Sequence, residues 1–306
     1  MDENSADSPA ATAGSGLAAG SFSSGRGPRL FGGGGSRGTV VSTLSTVAVL
    51  AIFVAIFLLA PGARTVVHAF FYPRDAWQAF IGDPKKGYYS VGTAIWLNIR
   101  MFIVAEALIL PLALMIALIR QSVHPALFPV RVIATIYVDF FRGVPLLLVV
   151  LALGLGVPGL YLPVISHQPD AVYGVAALVL SYSAYVSEVY RAGLNSVHRS
   201  QVAAARSLGL SQRTALRYVI LPQAVRNIIP PLLNDFISLQ KDTALIGVLG
   251  VIEANQAANI YSSLTFNYSS FTVAAILFLI LTIPLARFTD RLIERDRRRR
   301  LAGATA

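Results

Sequence analysis

Six runs of apolar residues, each about as long as a membrane crossing, constrain the fold of this chain more than any other feature. A helix needs about 20 apolar residues to cross the hydrocarbon core of a bilayer. The candidate runs are Thr39–Ala60, Met101–Ile119, Val144–Tyr161, Ala171–Tyr190, Pro231–Val251 and Phe271–Ala286. Because lipid cannot satisfy backbone polar groups, each crossing is expected to be helical. We therefore predict an all-α membrane protein with six transmembrane helices.

The composition agrees with a protein that crosses the membrane several times. Hydrophobic residues make up 55% of the 306 residues and charged residues only 13%, against about 25% charged residues in soluble domains. No cysteine is present, and the four scattered histidines form no H-E-x-x-H sequence, so we predict neither a disulfide nor a metal site. Basic cytoplasmic loops explain the net charge of +10 without a nucleic-acid partner.

The apolar runs divide the chain into five segments. Residues 1–38 are rich in Gly, Ser and Ala and are predicted to form a disordered tail. An extra N-terminal span follows at 39–60, then an outer loop at 61–100, a membrane domain at 101–286 with a polar loop at 191–230, and a basic tail at 287–306. The chain has no G-x-x-x-x-G-K-[ST] loop, so we predict no catalytic residue, and any ATP hydrolysis must come from another chain.

The distribution of Lys and Arg predicts the orientation in the membrane. The polar loop contains no acidic residue and six arginines, namely Arg191, Arg199, Arg206, Arg213, Arg217 and Arg226. Basic residues also concentrate in both tails and in the loop between the second and third spans. The positive-inside rule therefore places both termini in the cytoplasm. The basic residues of the segment 61–100 are an exception that this rule does not explain.

The fifth apolar run carries a polar stripe. At about 100° per residue, five polar residues fall within an arc of about 120°, namely Asn234, Asp235, Ser238, Lys241 and Asp242. Lipid cannot satisfy such a stripe, so it should face a water-filled path or another protein surface. Lys241 lies near the middle of the span and should have an acidic partner, for which Asp242, Asp235 and Glu106 are the candidates. Such a pair would either fix helix packing or line a gate.

Other charged residues lie inside or at the ends of the apolar runs. Glu106 lies deep in its run, where an acid either has a functional role or bonds to a neighbouring helix. Glu188 and Arg191 are three residues apart on one helix and are predicted to pair at the inner end of the fourth span. Asp139 and Arg142 have the same spacing and the same prediction. For both pairs, a structural role and a role in a gate remain open.

The polar loop itself contains helix signals. Ser200 is suited to N-cap a helix over Gln201–Leu208, and Gly209 is suited to end it in the C′ position. Ser211 can then cap a second helix that runs toward Pro222. The sequence therefore predicts a short, Ala-rich helix that projects from the membrane and ends at a glycine turn.

This loop resembles the cytoplasmic EAA loop of ABC-importer permeases, in which E-A-A is followed after three residues by G and after nine more by I-x-L-P. The corresponding residues are Ala203, Ala204, Ala205, Gly209, Val219, Ile220, Leu221 and Pro222. Ala203 replaces the glutamate of the family pattern, and Val219 replaces the isoleucine. The flanking sequences F-R-G-V-P from Phe141, A-Y-V-S-E-V-Y-R-A-G from Ala184 and K-D-T-A-L-I-G-V-L-G from Lys241 look like the polar amino-acid uptake branch.

The resemblance implies a permease subunit of an ATP-driven importer for polar or charged amino acids, located in the cell membrane, with a type I core of five spans plus one N-terminal span. The implied partners are a second permease subunit, identical or homologous, two ATP-binding subunits that carry ATP and Mg²⁺, and an extracytoplasmic solute-binding protein. The chain would bind no cofactor itself. The implied coupling residues are Arg199, Gln201, Ala203, Ala204, Ala205, Arg206, Gly209, Leu221 and Pro222. The residues expected along a translocation path or gate are Glu106, Glu188, Asn234, Asp235, Ser238, Lys241 and Asp242.

Three alternatives stay open at this point. A permease of the same architecture could carry a different small solute. A secondary transporter would need inverted repeats or pairs of broken helices in both halves, and the sequence shows no such symmetry. An intramembrane enzyme would need a catalytic set on facing spans, whereas Asp235 and Asp242 lie two turns apart on one helix.

Overall fold

The computed structural model describes residues 36–304, so most of the predicted tail 1–38 lies outside the described residues. Within this range, the side chains of residues 36–39, of Arg199, of residues 296–297 and of residues 299–304 are likewise outside the description. The described part of the chain is helical, apart from loops and one isolated bridge between Asp83 and Tyr88. This agrees with the all-α prediction.

The chain divides into two compact units, residues 1–60 and residues 61–306. The first unit contains a single described helix, α1, over Ser36–Leu59. Its apolar side chains from Val40 to Leu59 are exposed all around the helix. A helix of 24 residues is about 36 Å long, which is enough to cross a bilayer.

The second unit contains eleven further helices within its described residues. They are α2 (Ala63–Phe70), α3 (Pro73–Ile81), α4 (Val91–Gln121), α5 (Phe128–Gly143), α6 (Leu146–Gly156), α7 (Asp170–Asn195), α8 (Arg199–Ser207), α9 (Gln212–Ala215), α10 (Leu221–Asp242), α11 (Ala254–Thr265) and α12 (Ser269–Ala304). Short 3₁₀ segments occupy Pro84–Lys86, Pro125–Leu127, Pro158–Leu160 and Thr243–Leu249, and a π-helical turn occupies Leu216–Ile220.

Four of the described helices are long and apolar enough to cross a membrane, namely α1, α4, α7 and α12. The segments Pro125–Gly143 and Leu146–Leu160 pass the same test together but are bent by 106°, so they would form a fifth span if the pair is one broken crossing. The described residues therefore contain four or five candidate apolar spans, as in a multi-pass membrane protein. The count of six and the N-terminal span stay predictions.

The difference from six arises at α10. The sequence predicted a span over Pro231–Val251, but the helix begins at Leu221 and ends at Asp242, where a 3₁₀ segment takes over. Pro230 and Pro231 lie inside the helix instead of starting it. An interior proline costs about 3 kcal/mol in an isolated helix, so tertiary packing against α7 and α12 overrides the local signal.

Helix α7 lies at the centre of the second unit, where it packs against α4, α5, α6 and α10. Glycines permit close approach of α7 to the 3₁₀ segment Thr243–Leu249 and to α10. A Cβ atom added at Gly174 would lie 2.4 Å from Ile246 Cγ2, and one added at Gly193 would lie 2.1 Å from Ile228 Cγ1. Such contacts are typical of membrane helices, which associate through close packing and not through the hydrophobic effect.

The segment 61–90 is folded, although the sequence predicted little more than a loop with a surface helix around Val66–Ile81. There are two helices, α2 and α3, because Pro73 removes a backbone donor and restricts the residue before it. Backbone and side-chain hydrogen bonds join this segment to the start of α12, including Tyr72 N to Ser269 Oγ (3.0 Å) and Tyr268 N to Ala69 O (2.7 Å).

A buried tyrosine joins the same segment to α11. The Tyr261 hydroxyl donates to Asp75 Oδ1 over 2.7 Å, and the Tyr261 side chain is fully buried in the cluster that also contains Ala79 and Val91. Burial, together with this hydrogen bond, raises the pKa of Tyr261 above its ordinary value. The segment is thus a part of the helical core and not an independent loop.

The contact between Gly174 and Ile246 gives a test of the packing around α7. Gly174→Ala should lower the free energy of unfolding by about 1–3 kcal/mol, because the new methyl group would overpack a filled space. Gly156→Ala on α6 is the matched control, since nothing lies within 4 Å of its added Cβ atom. Thermal unfolding of the solubilised full chain measures both variants. Equal unfolding temperatures for the two would contradict this account of the packing.

Candidate functional site

The short helix α8 projects between the long helices α7 and α10. It begins at Arg199, and its N-cap residue is His198, whose Nδ1 accepts a hydrogen bond from Ser200 N at 3.3 Å. The predicted cap by Ser200 is therefore wrong. The ring nitrogen of the preceding histidine takes that role, and the Ser200 hydroxyl lies 2.7 Å from the same nitrogen.

The end of α8 has the geometry that the sequence predicted. Gly209 has a φ of +79°, in the left-handed region. Its N–H donates to Arg206 O (3.0 Å), and the N–H of Leu210 donates to Ala205 O (3.2 Å). These two bonds define a Schellman motif, in which a glycine closes the helix and reverses the chain. An added Cβ atom at Gly209 would meet open space, so the backbone angle is the constraint.

The projecting helix presents small and unpartnered surface. Ala203 and Ala204 are exposed, whereas Ala205 is buried against the rest of the loop. Gln201 and Arg206 are exposed as well. Leu208, at the tip, is 81% exposed, which is unusual for a large apolar side chain in contact with water. The sequence analysis did not single out Leu208 as a candidate contact residue, although it forms the exposed tip of this surface.

The base of the projection is fixed. Asn227 Nδ2 on α10 donates to Ser196 Oγ at the end of α7 over 2.7 Å. One turn away, Gly193 admits Ile228 into the same contact between the helices. These contacts join the two helices that flank the loop, α7 before it and α10 after it. A displacement of α8 would therefore be transmitted to both helices together.

The return from α8 to the membrane is continuous helix. Ser211 Oγ accepts from Thr214 N at 3.2 Å and caps α9, as predicted. The π-helical turn Leu216–Ile220 then joins α9 to α10, in which Leu221 and Pro222 form the first turn. The second helix therefore continues past Pro222, and the hydrogen bond from Leu221 N to Leu216 O in the π-helical turn lies directly before this proline.

Glu188 joins α4 to α7 near the C-terminal end of α7. Arg191 Nη2 lies 2.6 Å from Glu188 Oε2, so the predicted pair exists. Arg120, in the last turn of α4, donates to the other carboxylate oxygen of Glu188. The sequence analysis missed Arg120, whose only signal was its position at the end of an apolar run. The carboxylate thus carries two guanidinium partners and fixes α4 to α7.

Beside Glu188 lies an open cleft of about 560 Å³ between α5, α7 and α10. Its polar lining comprises Arg142, Tyr185, Glu188, Ser196, Asn227 and Asp235. Asp235 Oδ2 is buried without a hydrogen-bond partner in the described structure. The predicted pair of Asp139 with Arg142 is wrong, because these two described side chains lie beyond ion-pairing distance and Arg142 faces the cleft instead.

The polar stripe on α10 is partly confirmed as a cluster. Asp242 Oδ2 accepts from the buried hydroxyl of Tyr182 on α7 at 2.6 Å. Asp235 interacts electrostatically with Glu106 on α4 and with Tyr182. The structure therefore places two acidic side chains of α10 near Tyr182 of α7, and one of them, Asp235, also lies near Glu106 of α4. Ser238 is half-buried, and Asn234 is exposed.

Lys241 does not have the acidic partner that the sequence predicted. It is exposed in the described structure, and no carboxylate lies within 4.0 Å of its Nζ. The sequence placed Lys241 near the middle of a span, but α10 ends at Asp242, so Lys241 lies in the last turn of the helix with an exposed side chain. A lysine in that turn also interacts favourably with the helix dipole.

A buried polar network beyond α10 was not foreseen. Asn98 Nδ2 donates to Thr243 Oγ1 (3.1 Å) and to Glu253 Oε2 (3.0 Å), and Asn98 Oδ1 accepts from Ala254 N (3.0 Å). Glu253 also caps α11 by accepting from Asn255 N and Gln256 N. Sequence reasoning had only one signal for this network, an asparagine and a glutamate next to apolar runs.

This network explains part of the sequence K-D-T-A-L-I-G-V-L-G from Lys241. Thr243 and Glu253 are fully buried, and a Cβ atom at Gly247 would lie 2.5 Å from Glu253 Oε1. Gly250 has a φ of +86° and ends the 3₁₀ segment. The motif therefore breaks the helix at a fixed point and ties the break to α4 and α11.

Comparison with known families matches residues 109–299 to the binding-protein-dependent transport system inner membrane component. Curated relatives include the probable glutamine ABC transporter permease protein GlnM of Bacillus subtilis, 35% identical over 57% of this chain and 78% of the relative. A putative glutamine transport system permease protein GlnP of Rickettsia typhi is 33% identical over 69% and 94%. The arginine transport system permease protein ArtQ of Bacillus subtilis is 32% identical over 69% and 93%.

Solved structures of ABC transporters are also similar to this chain. An amino acid ABC transporter crystallised with histidines is 31% identical, with a TM-score of 0.61 over 67% of this chain and 93% of that chain. The inward-facing MetNI methionine ABC transporter, at 16% identity and a TM-score of 0.55 over 67% and 95%, shows the fold alone. The family match begins at residue 109, so the segment 61–90 lies before it.

The network around Asn98 yields a stability prediction. Asn98→Ala should lower the free energy of unfolding by about 1–3 kcal/mol, because it leaves the buried Ala254 N–H and part of Glu253 without partners. Asn255→Ala is the control, since Asn255 contributes its backbone N–H to Glu253 and its side chain is exposed. Thermal unfolding in detergent compares the two, and an unchanged midpoint for Asn98→Ala would contradict the role given to the network.

Proposed function

The chain belongs to the family of binding-protein-dependent transport system inner membrane components, and on that premise we propose that it is the permease subunit of an ATP-driven importer for amino acids. The observation that carries the proposal is the projecting helix α8, with its exposed alanines and its Schellman turn at Gly209. The names of the relatives, which include glutamine and arginine permeases, support an amino-acid substrate with a polar or charged side chain.

In this proposal, α8 is the surface on which an ATP-binding subunit docks. Exposed Gln201, Ala203, Ala204 and Arg206 allow close approach of a partner, and Leu208 offers an apolar contact at the tip. Ala205 and Gly209 shape the helix end, while Leu221 and Pro222 lie in the first turn of α10. Arg199 belongs to the same proposed surface, but its side chain is outside the description.

The glutamate of the family pattern is absent at Ala203, so that carboxylate cannot contribute to docking here. The proposed surface therefore depends on shape, on the basic residues around it and on Leu208. Guanidinium groups such as that of Arg206 suit carbonyl-rich or acidic surfaces.

The proposed assembly has two permease subunits, identical or homologous, and two ATP-binding subunits that hold ATP and Mg²⁺ on the cytoplasmic side. An extracytoplasmic solute-binding protein delivers the amino acid. The basic loop and tails support cytoplasmic termini. Movement of the ATP-binding subunits would displace α8, and the joined ends of α7 and α10 would carry that displacement into the spans.

The proposed translocation path follows the interface of α4, α7 and α10. Asp235 and Asp242 near Tyr182, with Glu106 near Asp235, form its acidic part, and the cleft with Glu188 forms its inner end. Exposed Asn234 and Lys241, with half-buried Ser238, extend the polar surface. Carboxylates inside a membrane domain are costly unless they face a polar path or a partner, and carboxylates attract the ammonium group of an amino acid.

A permease of the same family for another solute is the second candidate. The relatives and solved structures name glutamine, arginine, histidines and methionine, all of which are amino acids, although their side chains differ in charge and polarity. Uptake assays with a panel of amino acids and with non-amino-acid solutes, in the presence of the cognate binding protein, distinguish the two candidates.

Gly209→Val tests the coupling role of α8. A β-branched residue cannot adopt the left-handed conformation of Gly209 without strain, so the end of α8 should be displaced. We expect at least a tenfold loss of uptake, and of ATP hydrolysis stimulated by the binding protein, in proteoliposomes that contain the full complex.

Gly159→Val is the control for that experiment, because an added Cβ atom at Gly159 meets open space and its φ is not positive. It should retain both activities. If Gly209→Val retained both activities at the control's level, the proposed coupling role would be wrong.

Asp235→Asn tests the path. The substitution removes the charge of a carboxylate that faces the inner cleft and has one buried oxygen without a partner. We expect uptake to fall about tenfold while the assembly remains intact on size-exclusion chromatography. Asp139→Asn is the matched control, since Asp139 is exposed and does not line the cleft. Equal uptake by the two variants would exclude Asp235 from the path.

A further inference from the structure

A second cleft, of about 330 Å³, lies on the other side of α7, and the proposed transport function does not use it. Its lining residues are Arg120, Arg131, Val132, Thr135, Ile136 and Arg191, from α4, α5 and α7. Three guanidinium groups in one small cleft repel one another unless anions neutralise them.

Glu188 neutralises only part of this charge. It is the partner of both Arg120 and Arg191, so these three side chains together keep one positive charge. Arg131 adds a second, because its Nη1 donates to a neutral acceptor, the carbonyl oxygen of Ser122, at 2.7 Å. The hydroxyl of Thr135 is committed to Arg131 O (2.9 Å). The exposed carboxylate of Asp139 lies two turns beyond Arg131 on α5 and does not line the cleft.

The other side of the cleft is apolar. Ile136 is 62% exposed and Val132 40% exposed, and the same surface of α5 continues with exposed Phe128 and Ile133. The Arg131 guanidinium lies over the Phe128 ring, 5.3 Å from its centroid. A ligand that fits this cleft therefore has an anionic group for the arginines and hydrocarbon for α5.

The position of the cleft identifies the side of the membrane. Arg120 lies in the last turn of α4, Arg191 lies four residues before the end of α7, and α8 follows α7 after three residues. If α8 is the cytoplasmic docking helix, as proposed above, the cleft lies at the headgroups of the cytoplasmic leaflet. That leaflet carries the anionic lipids, and basic pockets between membrane helices on this side bind their headgroups.

We propose that this cleft binds the phosphate of an anionic phospholipid, with Arg131, Arg120 and Arg191 around the phosphate and the acyl chains along Val132 and Ile136. The bound phosphodiester would neutralise one of the two unbalanced positive charges at the junction of α4, α5 and α7. Inorganic phosphate shares the headgroup chemistry but would leave the apolar surface of α5 without a partner. The lipid is therefore the better match, and only the choice of leaflet rests on the proposed function.

Native mass spectrometry of the full chain, solubilised with the subunits that copurify with it, tests this proposal. Phosphatidylglycerol is titrated against the zwitterionic phosphatidylcholine. We expect phosphatidylglycerol to bind at least fivefold more tightly, and Arg131→Gln to weaken that binding about fivefold, since each basic side chain near a headgroup contributes on the order of a fivefold change. Arg131→Lys should fall between the wild type and Arg131→Gln, because it keeps the charge but loses the planar fork.

Arg291→Gln is the charge-matched control, because Arg291 is exposed on α12 and lies outside the cleft. It should bind phosphatidylglycerol as the wild type does. Ile136→Ser tests the apolar side separately and should weaken long-chain phosphatidylglycerol more than a short-chain analogue. Ile136 is exposed on α5, so its substitution should leave the fold intact. Thermal unfolding of each variant checks this.

Three results would overturn the proposal. Equal weakening by Arg131→Gln and Arg291→Gln would show general surface attraction, equal binding of the two lipids would exclude recognition of charge, and displacement of phosphatidylglycerol by inorganic phosphate would assign the cleft to a free anion. None of these measurements uses transport. A failed uptake assay with selective lipid binding would therefore count against the proposed function alone. Successful uptake without selective lipid binding would count against the lipid site alone.

Discussion

Close approach between α7 and its neighbours is the constraint on which the rest of the structure depends. In a bilayer, lipid chains solvate apolar side chains as well as protein does, so helices associate through dense packing and a few polar bonds. Here Gly174 admits Ile246, and Gly193 admits Ile228. These two contacts fix the 3₁₀ segment after α10 at one end of α7 and the start of α10 at the other. Gly193 also lines the cleft that contains Glu188 and Asp235, and α8 begins six residues after it.

Buried polar groups also hold the helices together. Glu188 ties α4 to α7 through Arg120, and Asn98 ties α4 to the end of α10 and to α11 through Thr243 and Glu253. A buried polar group that lacks a partner costs about 1–3 kcal/mol, so each network permits essentially one arrangement of its helices. Such rigidity is what a projecting helix needs if its displacement is to reach the spans as a rigid-body movement instead of being lost in local deformation.

The clefts on the two sides of α7 differ in chemistry. On the side of α10, Asp235 and Arg142 give the cleft groups of both charges. On the side of α5, Arg120 and Arg191 together exceed the charge of Glu188, and Arg131 adds a further positive charge. The two surfaces therefore suit different ligands, an amino acid with both charges in the proposed path and an anionic headgroup in the proposed lipid site.

The sequence by itself determined the features that are local along the chain. Apolar length predicted the membrane helices α4, α7 and α12, the spacing of Glu188 and Arg191 predicted their ion pair, and Gly209 predicted the end of α8, because each depends on residues within one or two turns. Only the tertiary structure decided the partners that are distant in sequence. Arg120 and Glu188 are 68 residues apart, and Asn98 and Glu253 are 155 apart. Neither pair has a periodic signature. Lys241, for which a helical wheel predicted an acidic partner, has no described carboxylate within 4.0 Å, because a wheel gives the angular position of a residue and not the direction in which its side chain extends.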